Sequence, residues 1–355
     1  MNQPLYVLVI AGGRGTRFWP RSRKAHPKQC LELQDEKSLL VHTIERISPL
    51  VPLARILVVT AAPMADAVRA QLPGLPPENV LVEPEGRNTA ACVGWGSLEV
   101  RRRAGDTGAV VAVLPADHVV EDAVEFRAIL ASCADVAGEG SALVTIGIEP
   151  TRAETGFGYL KVGEALSHGD GSFHRVDSFV EKPDADTAAA YLSTGRFLWN
   201  AGMFVFSCDT VARAFATHLP ETWSTLQEIV EDPNQLADGY ATLERISIDH
   251  GIMERADDVV CIRGRFGWSD VGSWNSLAEH LPENEAGRGN VREAISVDAS
   301  NCIVHAPGKV VALIGVEGLV VVDTEDALLV CRADRAQEVR EVIAQLEARD
   351  LKDLL

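Results

Sequence analysis

The chain has 355 residues, enough for one large domain and a smaller one, and 46% hydrophobic with 24% charged residues is the composition of a globular protein. Its 33 basic and 51 acidic residues leave a formal charge of −18, which excludes a general nucleic-acid binder, because that needs basic surface to displace counterions. No apolar run nears the roughly 20 residues that cross a bilayer. The start, "MNQPLYVLVIAGG", has neither a basic n-region nor a small-residue cleavage site. Seven cysteines at wide, irregular spacing, with no Cys-x-x-Cys, fit buried thiols in a reducing compartment, so a cytoplasmic protein without a membrane partner is expected.

In chain order, short apolar runs at 5–10, 55–60, 79–84, 109–115 and 141–148 predict strands. Segments with helical spacing lie between them, at 38–48, 63–72, 88–104 and 121–137. Continuous apolar strands separated by helices predict a mostly parallel sheet covered on both faces. Asn88 or Thr89 is available to cap the helix at 88–104. Right-handed crossovers put the C-terminal ends of such strands along one edge, where ligands of open α/β sheets bind. Gly12 to Gly15, Glu83 and Asp117 all fall there.

After residue 150 the pattern changes. Residues 155–163, 174–183 and 200–209 alternate more and predict an antiparallel or mixed extension of the same sheet. From about residue 283 the chain becomes Val-rich and glycine-punctuated, then ends in a segment where Val339, Ile343 and Leu346 share a helical face. This predicts a small β appendage, residues 282–355, closed by a helix. Exposed Val-rich edges are an aggregation risk, so it is expected to pack on the main domain, residues 1–281, or to form a dimer contact.

The first predicted strand runs into "AGGRGTRFWPRSRKAHPKQ" (11–29), with six cations (Arg14, Arg17, Arg21, Arg23, Lys24, Lys28) and no acid. The third glycine of a Rossmann fingerprint is missing, since Phe18 stands there, and no Gly-Lys-Ser/Thr follows a Walker pattern. The stretch still suits a polyphosphate. Gly12, Gly13 and Gly15 let backbone N–H groups approach phosphate oxygens, and arginines pair with them bidentately. A solvated basic turn is the plainer alternative.

That stretch resembles the N-terminal signature of sugar nucleotidyltransferases, and within them the bacterial mannose-1-phosphate guanylyltransferases. "EPEGRNTA" (83–90), "LPADH" (114–118), "TGFGY" (155–159), "FVEKP" (179–183), "WNAGMF" (199–204), "SIDHGIME" (247–254) and "GWSDVGSW" (267–274) follow in the family's order. The resemblance implies a nucleotide-diphospho-sugar transferase fold, α/β with a Rossmann-like mixed, mostly parallel sheet and a β-helix-like C-terminal part. It also implies a reaction in which GTP and mannose 1-phosphate give GDP-mannose and pyrophosphate. Nucleophile and leaving group are both anionic there, so the protein's task is to gather, align and neutralise them.

By the same resemblance Arg14, Lys28, Asp117, Lys182 and Asp270 are the catalytic candidates. Gly12, Gly13, Gly15, Thr16, Arg17, Glu83, Arg87 and Asn88 are assigned to the nucleotide. Gly158, Glu181, Lys182 and Asn200 are assigned to the sugar phosphate, Gly158 by letting the backbone pass close to it and Asn200 as both donor and acceptor for a pyranose edge. Asp117 and Asp270 would hold a divalent ion, most simply Mg2+, which takes one or two carboxylates plus phosphate and water. His118 has no second His at ligand spacing and reads as structural. Asp249 and Glu254 are structural carboxylates in one reading, and tryptophans 19, 199, 268 and 274 are expected to pack the pocket walls. The long C-terminal extension that carries phosphomannose isomerase activity in some relatives is not in the sequence, so a single activity is expected. A sugar-nucleotide sensor or a glycosyltransferase would share the fold; the four intact charged positions Lys28, Asp117, Lys182 and Asp270 argue against the first, and the basic glycine loop against the second.

Overall fold

The computed structural model describes residues 3–13, 15–33, 35–105, 108–166 and 173–355. β1 (Leu5–Ile10) is apolar throughout, and its side chains divide by the strand period of two. Val7 and Val9 join one core, Tyr6 and Leu8 the other. A strand buried on both faces belongs at the centre of a sheet. β1 accordingly pairs in parallel with β2 (Ile56–Ala61) and β4 (Val110–Pro115), Val7 lying opposite Ile56 and Ala112.

The remaining strands of this sheet are β3 (Val80–Glu83), β6 (Leu143–Ile148), β7 (Tyr159–Ala165), β8 (Phe173–Val180), β9 (Phe197–Ser207) and β10 (Val259–Gly264), and the order is β3-β2-β1-β4-β9-β6-β10-β8-β7. β9 runs antiparallel between β4 and β6, and its first residues also pair with β7. The extension expected after residue 150 is therefore mixed and continuous with the first sheet. A short pair, β5 (Val119–Val120) with β11 (Trp268–Ser269), ties the end of the β4 segment to the loop that follows β10.

Helices α1 (Leu39–Ile47), α2 (Ala65–Gln71) and α4 (Ala123–Glu139) cover one face. Helices α3 (Asn88–Ala104), α6 (Cys208–His218), α7 (Pro220–Glu231) and α8 (Leu236–Thr242) cover the other, while α5 (Ala185–Thr194) packs its buried Ala188 beside the first core. One expectation fails locally. Neither Asn88 nor Thr89 caps α3: Asn88 takes a left-handed φ of 68°, and the Thr89 hydroxyl instead accepts the Ile248 N–H at 2.9 Å. The cap is given up to hold the segment that carries Asp249.

The C-terminal part coils in parallel. β12 (Glu283–Asn284) leads into β13 (Gly287–Val297), β14 (Cys302–Ile314) and β15 (Leu319–Asp323), stacked in parallel with one register shift between Val291 and Glu293, and β16 (Leu328–Arg332) is antiparallel at the end. With α9 (Trp274–Ala278) and α10 (Val339–Ala348) it builds a third core. Phe18, Trp19, Leu31 and Leu33 of the glycine-rich segment pack there against Trp274, Val320, Val322, Val339 and Leu346. Each large apolar side chain withdrawn from water contributes ~1.5–3 kcal/mol. The ion pairs across the same seam, Arg23–Asp326 and Lys24–Glu347, are half-exposed and contribute about 0–1 kcal/mol each. Apolar packing fixes the two parts together.

Candidate active site

The first turn after β1 is shaped by one contact. Gly15 has φ 58°, and a Cβ there would stand 2.1 Å from the Cβ of Lys28, so only glycine admits the returning Lys28 segment. Lys28 is thereby buried beneath the turn. Its ammonium donates to Asp117 Oδ2 at 2.7 Å and to the backbone oxygen of Asp270 at 2.7 Å. Asp117 follows β4 at the C-terminal edge, and Asp270 follows β11. Three distant stretches thus meet at one cation.

The two carboxyls are driven apart. Burial pushes Asp117 up, but the Lys28 ammonium and the His118 ring pull it further down, and the net lies below the usual carboxylate range. Asp270 is pushed up by burial, with Lys28 opposing and the Asp117 charge adding to it. Asp270 Oδ1 accepts the Gly272 N–H at 3.2 Å. His118 is held neutral, burial lowering it to about 4, and its Nδ1 accepts from Trp268 Nε1 at 3.1 Å. That bond explains a structural histidine better than a ligand.

Three adjoining clefts surround this cluster. One of about 270 Å³ opens over the ends of β1 and β4, lined by Gly13, Thr89, Asp117, Gly202 and Asp249. The second, about 260 Å³, is lined by Gly15, Thr16, Arg17, Lys28, Asp117 and Asp270. The third, about 340 Å³, extends from Arg17 and Asp270 to Arg152 and Ser273. Asp117 is common to the first two and Asp270 to the last two. Arg17 donates to the Gly272 carbonyl at 3.4 Å; burial lowers its guanidinium, the nearby Arg340 charge adds to this, and Asp270 opposes it.

The six cations of the 11–29 stretch do not act together. Arg17 and Lys28 face the clefts, whereas Arg23 and Lys24 pair with Asp326 and Glu347 of the C-terminal part, and Arg21 donates to the Glu32 carbonyl. Arg14 lies outside the described residues.

Other assigned residues are placed less directly. Glu83 is buried, accepts from the Tyr240 hydroxyl, and lies beside Gly12, where a Cβ would stand 3.5 Å from its Oε2; burial pushes it up to about 7. Arg87 is turned toward the C-terminal end of α8, donating to Leu243 and Ala241 carbonyls and pairing with Glu85 at 2.7 Å, so its guanidinium braces that helix end. Asn88 is exposed at the start of α3.

On the sugar side, the Asn200 amide is engaged with neighbouring side chains and backbone. β9 is irregular over residues 201–203, and there the Asn200 Oδ1 accepts from Thr145 and Gly202 while its Nδ2 donates to Asp249 Oδ1 at 3.0 Å. Its work is to hold Asp249, whose carboxyl is raised to about 6 by burial and by Glu181. Gly158 makes room for a side chain of this protein: a Cβ would meet Glu181 Oε2 at 2.5 Å. Glu254 accepts the Glu181 N–H at 2.8 Å, which sets the "EKP" turn, and Lys182, at φ 49°, pairs with Glu181 and reaches into solvent.

Sequence reasoning missed Tyr240, Arg340 and the partnership of Asn200 with Asp249. Tyr240 lies within the short helix α8, which carries no motif, and Arg340 falls beside the apolar stripe of α10 with no motif around it. The tryptophans are packing residues: Trp199 lies edge-on to Phe157 at 5.2 Å in the first core, and Trp19 and Trp274 belong to the seam and not to a cleft wall. Among the described residues no three His, Cys, Asp or Glu side chains gather as a closed metal site.

A mixed α/β sheet with a phosphate-sized basic cleft and two aspartates at its edge is the arrangement of a nucleotidyl transferase. The chain belongs to that family, whose profile matches residues 6–286, and residues 292–346 match the MannoseP isomerase/GMP-like β-helix domain. Among curated relatives it is similar to the mannose-1-phosphate guanylyltransferase of Klebsiella pneumoniae, 36% identical over 352 residues, covering 97% of this chain and 74% of that protein. It is 38% identical to the xanthan biosynthesis protein XanB of Xanthomonas campestris over 349 residues, 96% of this chain and 73% of that one. A solved structure named mannose-1-phosphate geranyltransferase, from Thermus thermophilus, superposes with a TM-score of 0.88 at 38% identity, covering 98% of this chain and 100% of that chain.

Proposed function

We infer that the protein transfers GMP from GTP to mannose 1-phosphate, giving GDP-mannose and pyrophosphate. Its relatives named as mannose-1-phosphate guanylyltransferases support the reaction. The observation that carries the chemistry is the meeting of Lys28, Asp117 and Asp270 between adjoining clefts. The cleft over β1 and β4 suits the nucleoside, the basic one suits the phosphates, and Glu181 with Asp249 offers acceptors for sugar hydroxyls.

A sugar-phosphate oxygen attacks the α-phosphorus in line, and pyrophosphate departs from the opposite side. Asp117 and Asp270 fit a divalent cation such as Mg2+: they are two nearby carboxyls, one raised partly by the charge of the other, and Mg2+ needs no more protein ligands than these. Bound there, the ion would neutralise charge on the reacting phosphates. Lys28, released from Asp117, is within the cleft to pair with a phosphate oxygen, and Arg17 forks onto the leaving group. Lys182 approaches the sugar phosphate from the opposite rim.

Residues 1–281 are proposed to carry the transfer and 282–355 to brace it. Ile295 and Val297 on β13 stand exposed beside Ala312 and Ile314 on β14, with Val310 next to them. This face is proposed as a homodimer contact, which sedimentation of the wild type against Ile314→Lys will test. No helix among the described residues is long and apolar enough to cross a membrane, and a cytoplasmic location accords with the six buried free cysteines. The deciding assay is pyrophosphate release from GTP, mannose 1-phosphate and Mg2+, run beside other nucleotides and glucose 1-phosphate. Release that requires GTP and the mannose ester together supports the reading; release with another pair corrects the substrate; none from any pair, in folded protein, overturns it.

A further inference from the structure

From sequence, residues 282–355 are expected to pack on the main domain or to form a dimer contact. The structure puts part of them inside the reaction centre. Arg340, in the first turn of α10, lines the basic cleft together with Arg17, Lys28, Asp117 and Asp270, and Gln337 lines the cleft beside it. We propose that Arg340 binds the β- and γ-phosphates of the nucleoside triphosphate and then the leaving pyrophosphate, so that the C-terminal part completes the active site. The inference rests on the transfer reaction given above and amends its division of labour.

Three observations support it. The anchor of the side chain is fixed: Val339 and Leu346 are buried against the seam with Phe18 and Trp19, while Trp19 Nε1 donates to Leu354 at 2.9 Å and the Lys24 N–H to Leu355 at 3.0 Å. Among the described residues no carboxylate pairs with Arg340, although Arg332 and Arg335 just before it pair with Asp334 and Glu338. Finally, Arg340 approaches Arg17 closely enough to lower that guanidinium. Two cations brought to one cleft repel each other until an anion lies between them. Arg17 and Arg340 are the two guanidinium groups lining this cleft beside Lys28, and they have the planar geometry that phosphate oxygens accept bidentately.

The test uses the full chain as wild type, Arg340→Gln, Arg340→Lys and, as a control on the same segment, Arg335→Gln. Calorimetric titration with pyrophosphate in Mg2+ buffer requires no turnover. Steady-state kinetics in both directions then separate the substrates. Arg340→Gln is expected to weaken pyrophosphate about tenfold and to raise KM for GTP, with KM for mannose 1-phosphate and GDP-mannose moved by less than about twofold. Lys at 340 should restore part of the loss, and Arg335→Gln should change nothing. Pyrophosphate bound equally by wild type and Arg340→Gln overturns the proposal, as does an equal loss for the sugar phosphate, which would mean indirect displacement of the cleft. If the wild type makes no GDP-mannose, the reaction is wrong, and the pyrophosphate titration still decides the role of Arg340.

Discussion

Lys28 holds Asp270 by its peptide and not by its charge: the ammonium takes the Asp270 carbonyl at 2.7 Å and leaves the carboxyl facing the Gly272 N–H. The same ammonium takes Asp117 by its carboxylate. One lysine therefore positions two aspartates by different means, and the two should respond differently to substitution.

Asp117→Asn and Asp270→Asn are both expected to lower turnover, by about 10²–10³-fold, the usual loss for one charge-stabilising group. They should part in stability. Asp117→Asn removes the counter-charge of a buried ammonium at a carboxylate that is one-third exposed, and should cost about 1–3 kcal/mol. Asp270→Asn keeps the backbone bond and should unfold at the wild-type denaturant midpoint. Urea melts beside pyrophosphate release check both.

Two glycines in one loop should differ as sharply. Gly15→Ala puts a Cβ 2.1 Å from that of Lys28 at a left-handed φ, and is expected to cost about 1–3 kcal/mol and most of the turnover. A Cβ at Gly13 meets nothing within 4 Å, so Gly13→Ala should melt within about 0.5 kcal/mol of wild type. Because Gly13 lines the cleft assigned to the nucleoside, its effect should fall on KM for GTP.

Gly158→Ala is expected to displace Glu181, whose Oε2 lies 2.5 Å from the added carbon. KM for mannose 1-phosphate should rise by about 10–100-fold with KM for GTP little changed. Equal rises in both would detach Glu181 from the sugar.

Acid should set the buried histidines and two buried carboxyls against each other. His305 is fully buried, neither ring nitrogen has a partner among the described residues, and burial lowers it to about 4. An imidazole lowered on folding contributes stability fully above its unfolded value of about 6.5 and loses it as pH falls toward 4. Between pH 7 and 5 the loss is ~2 kcal/mol for His305; His118, also lowered to about 4, acts in the same direction. Glu83 and Asp249, raised to about 7 and about 6, act oppositely, favouring the fold at lower pH. His305→Phe should therefore gain ~2 kcal/mol on the wild type between pH 7 and pH 5 and sacrifice no hydrogen bond.

The sheet was legible because burial on two faces forces near-continuous apolar runs, so β1 and β4 are visible from their composition. Strand order beyond β4 was not: β9 inserts between β4 and β6 by pairings made far along the chain. Motifs located Lys28, Asp117 and Asp270 but not what each touches. Nothing in the basic stretch separates Arg23 and Lys24, which pair with Asp326 and Glu347, from Arg17 and Lys28 at the cleft, and no local pattern predicts an ion pair across some 300 positions. Asn200 was identified as a polar group at a pocket, yet its bonds to Thr145 and Asp249 follow from an irregularity in β9 that spacing does not encode.

The seam between the glycine-rich turn and α10 also has a consequence for biosynthesis. Trp19 bonds to Leu354 across 335 positions, so this loop is sealed only after residues 320–355 have been made. Until then Phe18 and Trp19 lack their apolar cover, and closing so long a loop is slow.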